Sequence, residues 1–125
     1  MRWRDLDGLG HVNHAVAFSY MEEGRDVFLR DHGIPREQYV VGCCTVNFKN
    51  EIDPSWELVT VESKLRGIRR SAMTIEQWIL DPVGDVMVEA EFGIVLWDPT
   101  KRASRLIDEQ ERASLTASLE GETQP

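Results

Sequence analysis

The feature that most constrains the fold of this chain is a change in hydrophobic period after about residue 41. From roughly His14 to His32, apolar positions recur at three- and four-residue spacing and form one stripe, which is typical of a half-buried helix. The stripe consists of Ala17, Tyr20, Met21, Gly24, Val27 and Phe28. Gly33 and Pro35 follow and mark a helix end. After a loop from Ile34 to roughly Val41, apolar and polar residues alternate, which indicates strands.

Four stretches follow the strand period, and short turns separate them. The positions that share one face in each stretch are Cys44, Val46 and Phe48; Val59, Val61 and Leu65; Met73, Ile75, Gln77 and Ile79; and Val86, Val88, Ala90, Phe92, Ile94 and Leu96. The breaks between and after them are Asp53 to Ser55, Gly67, Asp81 to Asp85, and Asp98 to Thr100. Hairpin-length connections predict an antiparallel sheet. A single helix with one apolar stripe needs a sheet face to cover it.

The sequence therefore predicts an α+β fold in which an antiparallel sheet curls around one long central helix. A short strand over residues 1–5 precedes the helix, and a short amphipathic helix over 108–119 ends the fold. With 125 residues, of which 42% are hydrophobic, the chain suffices for one domain with a substantial core.

The charge of the chain excludes some function classes. The formal net charge is −8, and a protein that binds bulk nucleic acid would normally be basic. One local run is basic: Lys64 to Arg70 (KLRGIRR) has four cations in seven residues. Such a run on an acidic protein suits a small polyanion better than a duplex. The alternative is a set of solvated charges on strand faces and a turn.

Cysteine usage and targeting signals favour a reduced, cytoplasmic setting without a membrane partner. Cys43 and Cys44 are adjacent and would point to opposite faces of a strand, so a disulfide between them is not expected. We expect no signal peptide and no bilayer-spanning segment, because the sequence shows neither pattern. Arg2 to Arg4 are already strand-like, so an earlier start codon than Met1 is an open alternative.

The segment from Asp5 to His14 (DLDGLGHVNH) is rich in chemically useful groups. It has two carboxylates, two imidazoles and an asparagine within ten residues, directly before the predicted helix. The first backbone N–H groups of a helix have no partner within it and lie at the positive end of its dipole, so they can hold an oxyanion. A carboxylate a few residues upstream can act on a carbonyl held there, as a general base or as a nucleophile.

Simpler interpretations of the same segment remain open. An Asp before a helix is usually an N-cap, and this interpretation is favoured for Asp5 and would also be favoured for Asp7 taken alone. His11 and His14 have the spacing of two metal ligands and an Asp is nearby, but no fourth ligand is evident. We therefore predict no metal and no cofactor.

The segment from Arg4 to His14 resembles the D-x-D-x-x-G-H-V-N-N signature of the 4-hydroxybenzoyl-CoA thioesterase-like hotdog family. The resemblance continues along most of the chain. Tyr20 to Arg25 is similar to the family's Y-x-E-x-A-R helix centre, Arg66 to Ser71 to its passage from third to fourth strand, and Trp97 to Arg102 to the turn after its last strand. Only the first motif is specific, and the order and spacing of all four together make the resemblance strong.

The resemblance implies one hotdog domain over residues 1–120, and residues 121–125 are expected to form a disordered tail, as chain ends often do. It implies hydrolysis of an acyl-CoA substrate by a homodimer or homotetramer whose active sites form where two chains meet. The family's catalytic carboxylate falls on Asp7, and its oxyanion-binding amides fall around Asn13 and His14, where the second Asn of the family motif is replaced by His14. The expected substrate-binding residues are Gly10, His11, Arg66, Arg69, Arg70 and Ser71.

Two other functions stay open at this stage. One is a hotdog enoyl-thioester hydratase or dehydratase, in which Asp7 would act with His11 or His14. The other is a non-enzymatic acyl-CoA binding module. On the helix, a surface salt bridge is expected for Glu22 and for Glu23, and the alternative is that one of them reaches the pocket as a second carboxylate. Arg25 is expected to pair with a neighbouring carboxylate or with a partner subunit.

Overall fold

The long predicted helix is present and has nearly the predicted bounds. The computed structural model of the chain describes residues 14–50 and 59–123, with the side chains of 17–50 and 59–119. The first helix, α1, spans His14–Asp31. Gly33 ends it with a φ of 80°, a left-handed conformation that glycine adopts without strain. The amides of Gly33 and Ile34 donate back to the carbonyls of Arg30 and Leu29, which closes the last turn.

The second half of the chain forms the predicted antiparallel sheet. Its strands are β1 (Tyr39–Phe48), β2 (Thr60–Ile68), β3 (Ala72–Leu80), β4 (Val86–Asp98) and β5 (Ala103–Ser104). The order in the sheet is β1-β4-β3-β2, and the short β5 pairs with β4 beyond the end of β3. A short 3-10 helix, Arg36–Gln38, precedes β1. The expected α+β class is confirmed.

Two predicted strand boundaries are wrong, and both involve a β-bulge. The loop expected as far as Val41 is already strand, because Tyr39, Val40 and Val41 pair with β4. This run does not alternate apolar with polar residues, and a register shift at Gly42 separates it from the alternating part. Gly67 does not end β2 either, since the strand continues to Ile68 through a shift after Leu65.

The core lies between α1 and the inner face of β2, β3 and β4. Its buried apolar residues include Ala17, Met21, Leu29, Leu65, Met73, Ile75, Ile79, Val88, Ala90, Phe92, Ile94 and Leu96. Gly24 lets α1 approach the sheet closely: a Cβ atom there would lie 2.7 Å from Cγ1 of Val61. Because α1 packs over β2 and β3, it leaves most of the inner face of β1 uncovered, apart from the contact of Phe18 with Phe48.

The C-terminal helix, α2, spans Glu109–Thr123 and runs past the predicted end at 119. It begins with a reciprocal cap: the amide of Glu111 donates to the Asp108 carboxylate at 2.7 Å, and the amide of Asp108 donates to the Glu111 carboxylate at 3.0 Å. Leu115 is buried, and Ser114 is hydrogen-bonded to His32 at the end of α1. Among the described helices, none is long and apolar enough to cross a membrane.

Candidate active site

The segment predicted to carry the chemistry lies almost entirely outside the described residues. The predicted site residues that fall outside them are Asp7, Gly10, His11 and Asn13. His14 is the first residue of α1, and its backbone is described. The helix start, with its free N–H groups and positive dipole end, thus follows the motif directly. This position is the one that the predicted oxyanion site requires.

An exposed apolar surface runs beside the first turns of α1. We define the open apolar strip as Phe18 of α1 together with Val41, Cys44 and Phe48 of β1. Phe18 and Phe48 are both 38% exposed, and Val41 is 42% exposed. The two phenyl rings meet edge-to-face, with centroids 6.4 Å apart. A strip of this kind can take an apolar acyl group or the apolar surface of another subunit.

The structure divides the predicted basic run into two parts. Arg66 lies on the outer face of the sheet, where its Nε donates to the Glu76 carboxylate at 2.6 Å and its guanidinium lies over the Trp78 ring. Arg69 and Arg70 lie at the turn between β2 and β3, and both are exposed. Arg66 thus forms a surface ion pair, whereas Arg69 and Arg70 form no ion pair within the described part of the chain.

A third cation, which the sequence does not point to, joins this turn. Arg112 of α2 donates from Nη2 to the backbone oxygen of Arg69 at 2.7 Å. The packing of α2 brings it there, since 43 residues separate the two positions in sequence. Ser71 is partly buried, and its backbone oxygen accepts a hydrogen bond from Leu96 of β4. We call Arg69, Arg70 and Arg112 the basic end of the sheet.

The helix start and the basic end lie at opposite ends of β1. Tyr39, the first residue of β1, is opposite Leu96, which is bonded to Ser71 beside the basic end. Phe48, the last residue of β1, contacts Phe18 near the helix start. These ends are nine residues apart, which corresponds to roughly 30 Å of strand.

A depression on the outer face of the sheet has the wrong charge for a polyanion. It has a volume of about 180 Å³ and is lined by Thr45, Asn47, Glu76, Glu89, Ala90 and Glu91. Lys49 pairs with Glu89 at 3.6 Å and Arg66 pairs with Glu76, while Glu91 adds a third carboxylate. A phosphate-bearing ligand would be repelled from this face.

Of the helix residues for which ion pairs are expected, Glu22 has one among the described residues and Arg25 does not. Glu22 forms the expected surface salt bridge, with Arg36. Arg25 was expected to pair with a carboxylate or a partner subunit. Within the described part of the chain it is instead buried and donates to the neutral side chain of Gln77. Among the described residues Arg25 has no carboxylate partner, because Glu22 and Asp26 both face Arg36 and Asp26 also accepts from Tyr39. Pairing with a partner subunit stays a prediction.

Tyr39 connects the start of β1 to α1 through a hydrogen bond. Its hydroxyl donates to the carboxylate of Asp26, which also lies 3.5 Å from the Arg36 guanidinium. Burial, together with the hydrogen bond to Asp26, raises the pKa of Tyr39 to about 12. Over residues 14–50 and 59–123, no three His, Cys, Asp or Glu side chains converge as metal ligands.

Comparisons with known proteins agree with this architecture. Residues 1–118 match a family model described as the thioesterase-like superfamily. A thioesterase from Thermus thermophilus, solved with coenzyme A and Zn, is 28% identical, and the match covers 92% of this chain and 91% of that one with a TM-score of 0.82.

Two further solved structures support the same fold at lower identity. A predicted thioesterase from Bacillus stearothermophilus is 20% identical over 95% of this chain and 91% of its own, with a TM-score of 0.85. A probable thioesterase from Escherichia coli is 23% identical over 95% of this chain and 94% of its own, with a TM-score of 0.73. No protein with a curated description matches the chain significantly. The expected hotdog fold is confirmed.

Proposed function

The chain belongs to the thioesterase-like superfamily and is a thioester hydrolase, and from this premise we propose that it cleaves acyl-CoA to a free acid and coenzyme A at the start of α1. The observation that carries the proposal is the family match over residues 1–118, which includes the complete motif from Asp5 to His14. The similarity to a thioesterase solved with coenzyme A supports the choice of substrate.

The proposed chemistry needs two groups, a polarised carbonyl and a carboxylate. A thioester carbonyl is a good electrophile with a good leaving group. The free N–H groups at the start of α1, around Asn13 and His14, would stabilise the negative charge that develops on its oxygen. Asp7 would either activate a water molecule or attack the carbonyl directly, giving an anhydride that water resolves. In the sequence, Gly10 and His11 lie between Asp7 and Asn13, and they would line the path of the thioester.

The phosphates of coenzyme A would bind the basic end of the sheet. Arg69 and Arg70 are exposed and have no ion-pair partner among the described residues, and Arg112 is held beside them by its bond to Arg69. Arg66 is a weaker candidate, because the Glu76 carboxylate already neutralises it. Ser71 adjoins the same turn and can contribute a hydroxyl to a phosphate.

A second copy of the chain would bring a basic end close to a helix start, which within one chain lie at opposite ends of β1. In the described part of the chain, β1 has a strand neighbour on one side only, namely β4. Its ten residues, YVVGCCTVNF, include neither a proline nor a charge, the usual protections of an exposed edge. We therefore propose that β1 pairs with β1 of a partner, which makes a homodimer the smallest active unit.

Antiparallel pairing of two identical edges also explains how the site is completed. A two-fold axis reverses the strand direction, so the basic end of one subunit comes next to the helix start of the other. The open apolar strip then lies at the subunit interface, between the two. A single thioester could in this way place its nucleotide on one subunit and its carbonyl on the other.

The test is the release of free thiol from a panel of acyl-CoA thioesters of different chain length, with enoyl absorbance recorded in the same samples. The proposal predicts a stoichiometric thiol signal with no change in enoyl absorbance. A change in enoyl absorbance without thiol release would instead identify a hydratase or dehydratase. Binding without turnover across the panel would identify a binding module, and either result would contradict the proposal.

A further inference from the structure

The middle residue of β1 is a cysteine. β1 pairs with β4 through nine of its residues, from Tyr39 to Phe48, and Gly42 is left out of this register at the bulge. Cys44 is the fifth of the nine paired residues, so four of them precede it and four follow it. Cys44 is therefore also the centre of the other edge of β1, which has no strand neighbour in the described part of the chain.

Symmetry restricts how two β1 edges can pair. If a two-fold axis makes two strands antiparallel neighbours in one sheet, the axis is perpendicular to that sheet, and the inner face of one subunit continues as the inner face of the other. Residues opposite each other point to the same face, so a residue on the axis is opposite its own copy. With the axis through Cys44, all nine positions have a partner, whereas a shift of the axis by one position leaves two of the nine unpaired.

The side chains of β1 are compatible with an axis at Cys44. On the inner face, Phe48 would lie opposite the partner's Tyr39, and Val46 would lie opposite the partner's Val41, so that apolar groups meet apolar groups. The strand has no charged residue, so no like charges are brought together on either face. This register also brings the end of β1 near the helix start beside the partner's basic end, as the shared site requires.

The two cysteines of β1 differ in the position of their side chains. Cys43 is opposite Gly93, and a Cβ atom at Gly93 would lie 2.6 Å from Sγ of Cys43. The sulfur of Cys43 therefore leans over β4 and away from the free edge. Cys44 is opposite Phe92 on the inner face, most of which α1 leaves uncovered along β1. Both thiols are free and exposed in the single chain, so only the partner can supply a second sulfur to Cys44.

Resting on the homodimer of the proposed function, we propose that Cys44 is a redox modification site, at which the two Cys44 thiols of a dimer form a reversible disulfide across the two-fold axis. Opposite residues of an antiparallel pair have Cα atoms about 4.5 to 5.5 Å apart, which lies within the disulfide range of about 4.4 to 6.8 Å. A disulfide in a chain of this kind is expected to be transient and to respond to the redox state of its surroundings.

The oxidant is a peroxide, and the reaction has two steps. The thiolate of one Cys44 attacks a peroxide oxygen, the O–O bond breaks, and a sulfenic acid and one hydroxide form. The thiolate of the partner's Cys44 then attacks that sulfur, the S–S bond forms, and a second hydroxide leaves. The two hydroxides take up the two thiol protons and become two molecules of water. Each sulfur has lost one electron, and the two peroxide oxygens have gained them.

The experiment titrates the parent, Cys44→Ser and Cys43→Ser with hydrogen peroxide, each at a low and a high protein concentration. Cys43→Ser is the matched control, because it makes the same replacement one residue away on the same strand. Remaining thiols are blocked, and denaturing electrophoresis without reductant separates cross-linked from single chains. For the reduced samples, light scattering gives the mass, and the loss of thioester absorbance gives the rate of acyl-CoA hydrolysis.

The parent and Cys43→Ser should run at twice the mass of one chain after oxidation, and dithiothreitol should restore the single chain. Cys44→Ser should stay a single chain. The extent of cross-linking should be the same at both protein concentrations, because the disulfide forms within an existing dimer. The unfolding temperature of the oxidised parent should rise and should no longer depend on protein concentration, because linked subunits cannot dissociate.

A parent that is dimeric by light scattering but forms no covalent dimer would overturn this inference alone. The same holds if Cys44→Ser cross-links as the parent does, or if the extent of cross-linking rises with protein concentration, since collisions between dimers would then supply the second thiol. A reduced parent that is monomeric would overturn both the shared site and this inference. A dimer that cross-links through Cys44 but hydrolyses no acyl-CoA would contradict only the proposed activity.

Discussion

Mixing two impaired variants tests whether each active site is shared between two subunits. The first variant is Asp7→Asn, which removes the proposed catalytic carboxylate. The second is the double change Arg69→Glu and Arg70→Glu, which reverses two exposed charges of the basic end. Because the helix start and the basic end lie at opposite ends of β1, the proposed shared site takes its carboxylate from one subunit and its basic end from the other.

The size of the effect follows from this geometry. In a mixed dimer, one site has both changes and the other has neither. Random exchange of equal amounts makes about half of the dimers mixed, each with one intact site, so about a quarter of the parent activity should return. The double charge reversal alone should lower kcat/KM for acyl-CoA about 30- to 100-fold, as expected for two solvent-screened phosphate contacts.

The assay is thiol release after the two variants are unfolded together and refolded, with each variant refolded alone as the control. Light scattering should give the mass of a dimer, or of a multiple of it, for every sample. Activity that does not rise above the average of the two separate variants would refute the shared site, because a site within one chain gains nothing from mixing.

Three further predictions concern binding and stability. Neutralising Arg70 should raise the KM for acyl-CoA more than for a thioester that lacks the nucleotide, and added salt should reduce the difference; equal shifts on both substrates would exclude a phosphate contact. Gly24→Ala should lower the free energy of unfolding by about 1 kcal/mol in denaturant titrations, because the clash of the new Cβ outweighs the gain in helix propensity. Tyr39 ionises near 10.0 when unfolded and near 12 when folded, so the folded state keeps a proton that the unfolded state loses, and stability should fall as pH rises through that window. Tyr39→Phe should lose this part of the pH dependence, and an unchanged slope would contradict the raised pKa.

Local pattern predicted the elements of the fold well. The stripe from Ala17 to Phe28 gave a helix that ends within one residue of the predicted end, since Gly33 provides the left-handed residue that closes it. The alternating set from Val86 to Leu96 lies on one strand, as expected. The start of β1 was missed, because a run of apolar residues broken by a bulge has no period to detect.

Exposure was not predictable in the same way. Cys44, Val46 and Phe48 share a face as the alternation indicated, yet that face stays largely open. Period reveals which side chains point together, whereas the position of α1 over β2 and β3 decides which of them are covered. The exposed face of β1 is therefore visible only in the assembled fold.

For the candidate site too, the sequence predicts local features but not contacts that depend on tertiary packing. The motif from Asp5 to His14 is local, so sequence alone could predict a loop that leads into a helix start, and α1 does begin at His14. The contact of Arg112 with Arg69, and that of Arg25 with Phe92, depend on tertiary packing between distant positions. The sequence offered no way to distinguish Arg66 from Arg69. The fold places Arg66 beside Glu76 of β3, and it places Arg69, which has no ion-pair partner among the described residues, at the turn after β2.

The role of Asp7 is tested most directly by the rate of thiol release from acyl-CoA in Asp7→Asn, compared with the parent and with Asp5→Asn. Both changes replace an acid with its amide, and asparagine is as good an N-cap as aspartate, so loss of a cap cannot distinguish them. We predict that Asp7→Asn keeps the unfolding temperature and loses at least about 100-fold in kcat, as expected for loss of a general base or nucleophile, while Asp5→Asn stays near the parent rate. Hydrolysis by Asp7→Asn at the parent rate would contradict the account, because the helix start would then act without that carboxylate.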